Sequence, residues 1–336
     1  MEKKILIGII ILFIFFGGGY CYLTLKENNK KTEKNYHIGI LCGLNYITDL
    51  GSYFKEGMTE LGYIEGKNVF YDYQKTNFEP LREKQILEKF IEDKVDLIVT
   101  FPTEVSIAAK ETTSGTEVPV IFAFANIEET GLVESVRQPG KNITGVRYPG
   151  PDLAAKRLEI LLEMVPDVKR IWIPFQRGYP IVESQMKVLY PIAKNLGLTL
   201  IEFPADDANE IQKELDRRSA LSDIGMDAVL FLSEPLGVTE DVFLVIGKFA
   251  EQYNLPVGGA FISVDGYSSL FGIIVNLEST GKQAAVLADK IFKGTPAGSI
   301  PVVSSESFFQ MNYKKVQELG LNISEGLLSR ADEIIR

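Results

Sequence analysis

Between Pro139 and Pro149 the chain reads Pro-Gly-Lys-Asn-Ile-Thr-Gly-Val-Arg-Tyr-Pro, and the same pattern is written on either side of it. Short apolar runs alternate with stretches whose apolar residues recur at helical spacing. Such alternation commits a chain to a parallel sheet with helices on its faces, because each parallel strand needs a crossover before the next. Right-handed crossovers make the sheet doubly wound. A pattern repeated across a proline-bracketed break gives two such sheets. With Gly140 and Gly145 inside the bracket, Asn142 to Val146 reads as one short extended segment, a hinge strand.

In the first half, strands are expected at His37–Leu41, Val69–Tyr73, Asp96–Thr100 and Val118–Phe124. Helices are expected over 49–61, 81–93, 103–113 and 127–136, the second carrying Ile86, Leu87, Phe90 and Ile91 on one face. The second half repeats the order: helix 152–164, strand 170–175, helix 181–196, strand 198–203, helix 209–221, strand 227–233, a helix to Tyr253 and strand 256–261. A late strand at 272–277 and a helix from Ser279 to Phe292, ended by Gly294, imply a second crossing back to the first lobe. An extended stretch from Pro301 to Met311 and a helix from Tyr313 to Leu319 close the chain.

The 336 residues suit two lobes, each with its own core. A net charge of −10 with no basic stripe repels phosphate backbones, so nucleic acid is not an expected partner. Cys21 and Cys42 cannot build a disulfide framework, and with His37 the only histidine no His/Cys metal cluster is expected. His37 falls in the first strand and reads as a strand-edge side chain, since a catalytic histidine needs a positioned partner. No G-x-G-x-x-G opens the first helix and no phosphate-binding P-loop occurs. Catalytic residues, metals and cofactors are therefore not expected.

Met1 to Lys4 carries two lysines, and Ile5 to Leu25 is uncharged. That stretch is long enough to span a bilayer as a helix. Its densest part, Ile5 to Phe16, also matches the apolar region of a secretory signal. Cys21, after Gly18, Gly19 and Tyr20, adds a lipid-anchor alternative, although Tyr20 is not the small residue a lipobox wants. All three place the folded part outside the cytoplasm if the segment serves export. Lys26 to Asn35 reads as a polar tether.

Open parallel sheets bind ligands at the carboxyl ends of their strands. That rule selects Asn45 and Tyr46 after the first strand, Thr103 and Glu104 after the third, and Asn126 after the fourth. In the second half it selects Arg177, Tyr179, Ser233, Glu234 and Asp265. Thr103 can equally serve as a helix cap. A guanidinium grips a carboxylate bidentately, and Glu234 or Asp265 can hold an ammonium, a set that suits a zwitterion.

Several phrases then fall in a telling order: Glu60-Leu61-Gly62-Tyr63 with Gly66-Lys67-Asn68-Val69, Lys94 to Val99, Val118 to Phe122, Gly131-Leu132-Val133, Asn142 to Val146, Met311-Asn312-Tyr313, Leu319-Gly320-Leu321 and Ala331-Asp332. From His37 to Ile335 the chain resembles the extracytoplasmic substrate-binding proteins of ABC transporters, specifically the family that includes tryptophan/tyrosine-type uptake proteins. The resemblance implies an α/β, type I periplasmic-binding-protein fold: two doubly wound parallel-sheet lobes joined by a multi-strand hinge, after an N-terminal apolar helix. It places lobe 1 at 36–142 plus about 276–298 and lobe 2 at 147–274 plus about 300–336. The hinge then lies near 142–146 (Asn142, Thr144, Gly145), 272–277 and 298–302. It implies a monomer that closes on a small polar or aromatic ligand, an amino acid or related metabolite, and delivers it to a membrane permease. A ligand-sensing ectodomain reporting to a membrane partner is the second reading. Departures fall in the expected pocket. Asn126-Ile127 stands where relatives often have Asp-Pro, and Pro174 to Tyr179 where they often have Asn-Pro. Ser233-Glu234-Pro235 stands where Thr-Asp-Asn is common.

Overall fold

The computed structural model describes residues 34–336, so the expected anchor or signal segment and nearly all of the tether lie outside the described residues. Among the described residues no helix is long and apolar enough to cross a membrane. In chain order the first half forms β1 (Tyr36–Cys42), α1 (Asp49–Glu60), β2 (Val69–Lys75), α2 (Pro80–Glu92), β3 (Leu97–Phe101), α3 (Thr103–Thr112), β4 (Val120–Ala125) and β5 (Ile143–Arg147). The second forms α4 (Gly150–Met164), β6 (Arg170–Gln176), α5 (Val182–Leu196), β7 (Thr199–Ala205), α6 (Ala208–Ser219), β8 (Ala228–Leu230), α7 (Glu240–Tyr253) and β9 (Val257–Gly259). A small hairpin, β10 (Ser263–Val264) and β11 (Tyr267–Ser268), leads to β12 (Phe271–Val275). The chain finishes with α8 (Leu277–Phe292), β13 (Val303–Ser304), β14 (Ser307–Asn312), α9 (Tyr313–Glu318), α10 (Glu325–Arg330) and β15 (Glu333–Ile335).

The strands make a six-stranded sheet, β13-β5-β4-β3-β1-β2, and a seven-stranded sheet, β15-β14-β12-β9-β8-β6-β7. All pairs in the first are parallel; in the second only β12–β14 is antiparallel. β3 is buried at every residue, and its side chains alternate between two helical layers. Leu97 and Val99 pack with α1 and α8, whereas Ile98 packs with α2 and α3. In the second sheet Ile171 and Ile173 face α4 and α5, while Trp172 between them faces α6 and α7. Each such fully buried apolar side chain contributes about 1.5–3 kcal/mol.

Helix α8 leaves the second sheet and docks on α1. A Cβ on Gly281 would stand 2.6 Å from Tyr53 Cβ and 2.8 Å from the Phe54 nitrogen, so only glycine permits this approach. The chain passes between the sheets three times, at Tyr148–Pro149, Asn276 and Ser305–Glu306. These passages are joined: Ser305 N donates to Arg147 O at 3.0 Å and Asn276 N to Glu306 O at 2.9 Å.

Two expectations change. The hinge segment at 142–146 is largely strand β5, held inside the first sheet between β4 and β13. Thr144 Oγ1 donates to Ile300 O at 2.8 Å, Asn142 Nδ2 to Val118 O at 2.6 Å, and a Cβ on Gly145 would lie 2.1 Å from Phe122 O. The passage comes after Arg147, and the third comes after Ser304, beyond 298–302. An extended segment inside a sheet and one between sheets look alike locally, which is why the pattern alone put them too early. The helix expected over 127–136 is a series of turns, because Glu129 (φ 60) and Gly131 (φ 67) are left-handed.

Candidate functional site: the cleft between the lobes

The carboxyl ends of the two sheets face each other across a cleft of about 260 Å³. The first lobe contributes Leu44 and Ile47 after β1, Pro102 to Glu104 after β3, and Phe124 and Asn126 at the end of β4. The second contributes Tyr179 and Ile181 after β6, Leu232 to Pro235 and Val238 after β8, and Ala260 after β9. The passages supply Tyr148, Ile274, Val275 and Leu277, and Arg157 reaches up from α4. The lining is mostly apolar and includes three aromatic rings, with few polar groups, the usual composition of a small-molecule site.

Each polar side chain is positioned by its neighbours. Thr103 Oγ1 accepts the Asn126 backbone N–H at 3.0 Å, which ties the end of β4 to the start of α3. The Asn126 amide then turns toward α4, where its Oδ1 lies 2.7 Å from the place a Gly150 Cβ would occupy. Among the described residues that buried Oδ1 has no hydrogen-bond partner, and neither has Ser233 Oγ in the opposite lobe. The Ser233 backbone is held by buried Gln185, whose Oε1 accepts its N–H at 2.9 Å and whose Nε2 donates to its carbonyl at 3.1 Å.

Glu234 is folded onto a nest of backbone donors. Its carboxylate accepts Gln176 N at 3.0 Å, Leu236 N at 2.8 Å and Gly237 N at 2.8 Å. Burial still pushes its pKa above the usual glutamate value, against the pull of these donors and of Arg157. Half-buried Glu104 is pushed the same way, chiefly by burial and further by Glu83. Arg157 is fully buried. Its Nε and Nη2 donate to Ile273 O at 3.1 and 2.6 Å, and Nη1 donates to Phe231 O at 3.2 Å. Burial lowers its pKa, while the Tyr148 hydroxyl and Glu234 raise it.

The structure therefore brings Thr103, Glu104, Asn126, Tyr179, Ser233 and Glu234 to one cleft. Asn45 is exposed in the 3-10 turn Asn45–Ile47, and the flanking Leu44 and Ile47 reach the cleft in its place. Tyr46 lies in the same turn, its side chain outside what is described. Arg177 points away, because Asp206 and Glu210 pair with it at 3.1 and 2.6 Å on the outer surface. Asp265 is exposed at the tip of the β10–β11 hairpin, a left-handed position (φ 49) followed by Gly266. The zwitterion set of Arg177 with Asp265 is thus not assembled. Arg157 and Tyr148 escaped the strand-end rule. Arg157 did leave a signal, a lone charge between Leu153, Ala154, Leu158 and Leu161 on the buried stripe of α4.

A model of the family described as "ABC transporter substrate binding protein" matches residues 48–335. The chain belongs to that family. A tyrosine-binding protein of Clostridioides difficile (strain R20291) is 25% identical over 281 residues, covering 83% of this chain and 78% of that one. Among solved structures, an ABC domain in complex with L-Trp from Streptococcus pneumonia superposes with a TM-score of 0.72 at 22% identity, covering 90% of this chain and 100% of that one. The ligand-free, open structure of a substrate-binding protein with adhesive properties from Clostridium difficile gives 0.71 at 21% identity, covering 89% and 99%. The fold is that of periplasmic binding proteins. The protein is an extracytoplasmic solute-binding component that works with an ABC transporter. These relatives do not favour the sensing ectodomain.

Proposed function

We propose that the cleft between the lobes is the solute site, and that the protein serves an importer of an amino acid or closely related metabolite with an apolar or aromatic body. The observation that carries this reading is a mostly apolar cleft walled by both lobes, with buried polar groups lacking partners on each side, Asn126 on one and Ser233 on the other. A solute touches both walls only when the lobes are together, so it favours the closed population without any chemistry being needed. The three joined passages act as the hinge.

An ion pair between the lobes, Lys187–Glu129 at 2.5 Å, supports closure, and Arg147–Asp152 at 2.7 Å spans the first passage of the hinge. Exposed pairs of this kind contribute about 0–1 kcal/mol each, too little to hold the lobes shut without a solute. The tyrosine-binding relative supports an amino acid. The N-terminal apolar segment holds the protein at the membrane beside its permease.

A thermal-shift screen of the protein against amino acids, purines and sugars tests the reading. A specific solute raises the melting temperature by mass action. No shift with any compound, together with measurable turnover of one, would sink it.

A further inference from the structure

The charged groups around the cleft are not equally available. Arg157 is committed to Ile273 O and Phe231 O. Glu234 is committed to three backbone N–H groups. Such a nest at strand ends is where a ligand carboxylate would ordinarily be received. Here the chain's own carboxylate already fills it. Glu104 differs. Among the described residues no lysine, arginine or histidine lies within ion-pair distance of it, and its carboxylate meets only the N–H of its own residue. Its charged neighbour is another carboxylate, Glu83, and the other polar residues of the same lining include neutral groups. The Asn126 amide and the Ser233 hydroxyl, both more than nine-tenths buried, have no partner for Oδ1 and Oγ. The lining contains no lysine or histidine, and Arg157 is its one cation. The cleft thus offers an uncommitted negative charge, neutral hydrogen-bonding groups and apolar walls, and no uncommitted positive charge.

We infer that the charged group this cleft reads is an ammonium, paired with Glu104, and that a carboxylate on the solute is dispensable. A primary arylalkyl amine then binds as the matching amino acid does, its ring against the apolar wall and its nitrogen at Glu104. The deaminated acid is rejected, because its carboxylate approaches Glu104 with no cation to offset the repulsion. The inference rests on the cleft being the solute site.

Calorimetric titration of the full-length protein in mild detergent decides it, using two matched sets as probes. One is tyrosine, tyramine and 3-(4-hydroxyphenyl)propionate; the other is tryptophan, tryptamine and indole-3-propionate. In at least one set the amine is expected within tenfold of the amino acid, and the acid more than tenfold weaker than the amine. Glu104→Gln is expected to weaken the amine at least tenfold while the melting temperature of the free protein holds or rises. An amine more than tenfold weaker than its amino acid in both sets, an acid that binds as well as the amine, or an unchanged E104Q variant would overturn the inference. Binding by none of the six also overturns it. In that case a hit among the sugars or purines of the wider screen leaves the cleft standing as a solute site, and the lack of any hit together with turnover of one compound takes down both.

Discussion

Replacing Arg157 by methionine probes whether the cleft floor is built on one buried cation. The side chain makes three hydrogen bonds to two carbonyls, Ile273 O on β12 and Phe231 O just after β8, and among the described residues no carboxylate lies within ion-pair distance of it. Methionine fills much of the same volume and removes the desolvation penalty of the charge. It leaves two buried carbonyls short of a donor, at about 1–3 kcal/mol each. A loss of up to about 2–6 kcal/mol follows, equivalent to roughly 4–24 °C at about 2–4 °C per kcal/mol for a unit of this size. Lysine should do no better. It keeps the charge buried, yet a single ammonium cannot span both carbonyls, and a broken buried charge costs about 3–5 kcal/mol. Trp172 is the sole tryptophan and is fully buried in the second sheet, so its fluorescence follows the unfolding of the lobe that holds Arg157. Solute affinity should fall as well, because Tyr148 and the turn from Phe231 to Ser233 lose their support. An R157M protein that melts within about 2 °C of the parent and binds as tightly would refute the reasoning.

Gly145→Ala should destabilise the first lobe by about 1–3 kcal/mol in urea titration, since its Cβ would meet the backbone oxygen of Phe122 at 2.1 Å. A change in solute affinity with unchanged stability would restore Gly145 to the hinge. Lys187→Ala removes an exposed pair between the lobes and should loosen binding by no more than about fivefold, mainly through faster release measured by stopped flow. Glu104 and Glu234 both have folded pKa values raised above their unfolded ones, so the folded state holds more protons in the window between the two. Stability should therefore fall as pH rises from the ordinary glutamate range through the raised values. For Glu104, with Glu83 as its acidic neighbour, E104Q should flatten that part of the melting profile, and an unchanged profile would count against the assignment.

The architecture was legible because burial on both faces leaves a plain mark. Leu97 to Val99 is an unbroken apolar run, and it lies in β3, buried throughout. Strand ends were legible as a class, since loops after β3, β4 and β8 must face the other lobe, and Thr103, Glu104, Asn126, Ser233 and Glu234 arrived there together. Direction within a loop was not legible. Arg177 and Tyr179 are two residues apart around Gly178 (φ 71), and they part because Asp206 and Glu210, from the end of β7 and the start of α6, draw the guanidinium outward. What Arg157 holds was hidden for a related reason. Its partners are backbone carbonyls, and a carbonyl has no letter in a sequence.

The fit of α8 against α1 through Gly281 has a bearing on how the protein comes into being. The first lobe contains residues from β1 onward, yet its last helix and its edge strand β13 are encoded more than a hundred residues after β5. As the chain is made from its amino end, β1 to β5 emerge early with the flank of α1 uncovered. That flank carries Phe54 and Met58, both buried in the finished protein. It stays open until the entire second sheet except β14 and β15 has been synthesised. The lobe that begins first is thus completed late, and the two lobes reach their final form close together, as one event rather than in succession.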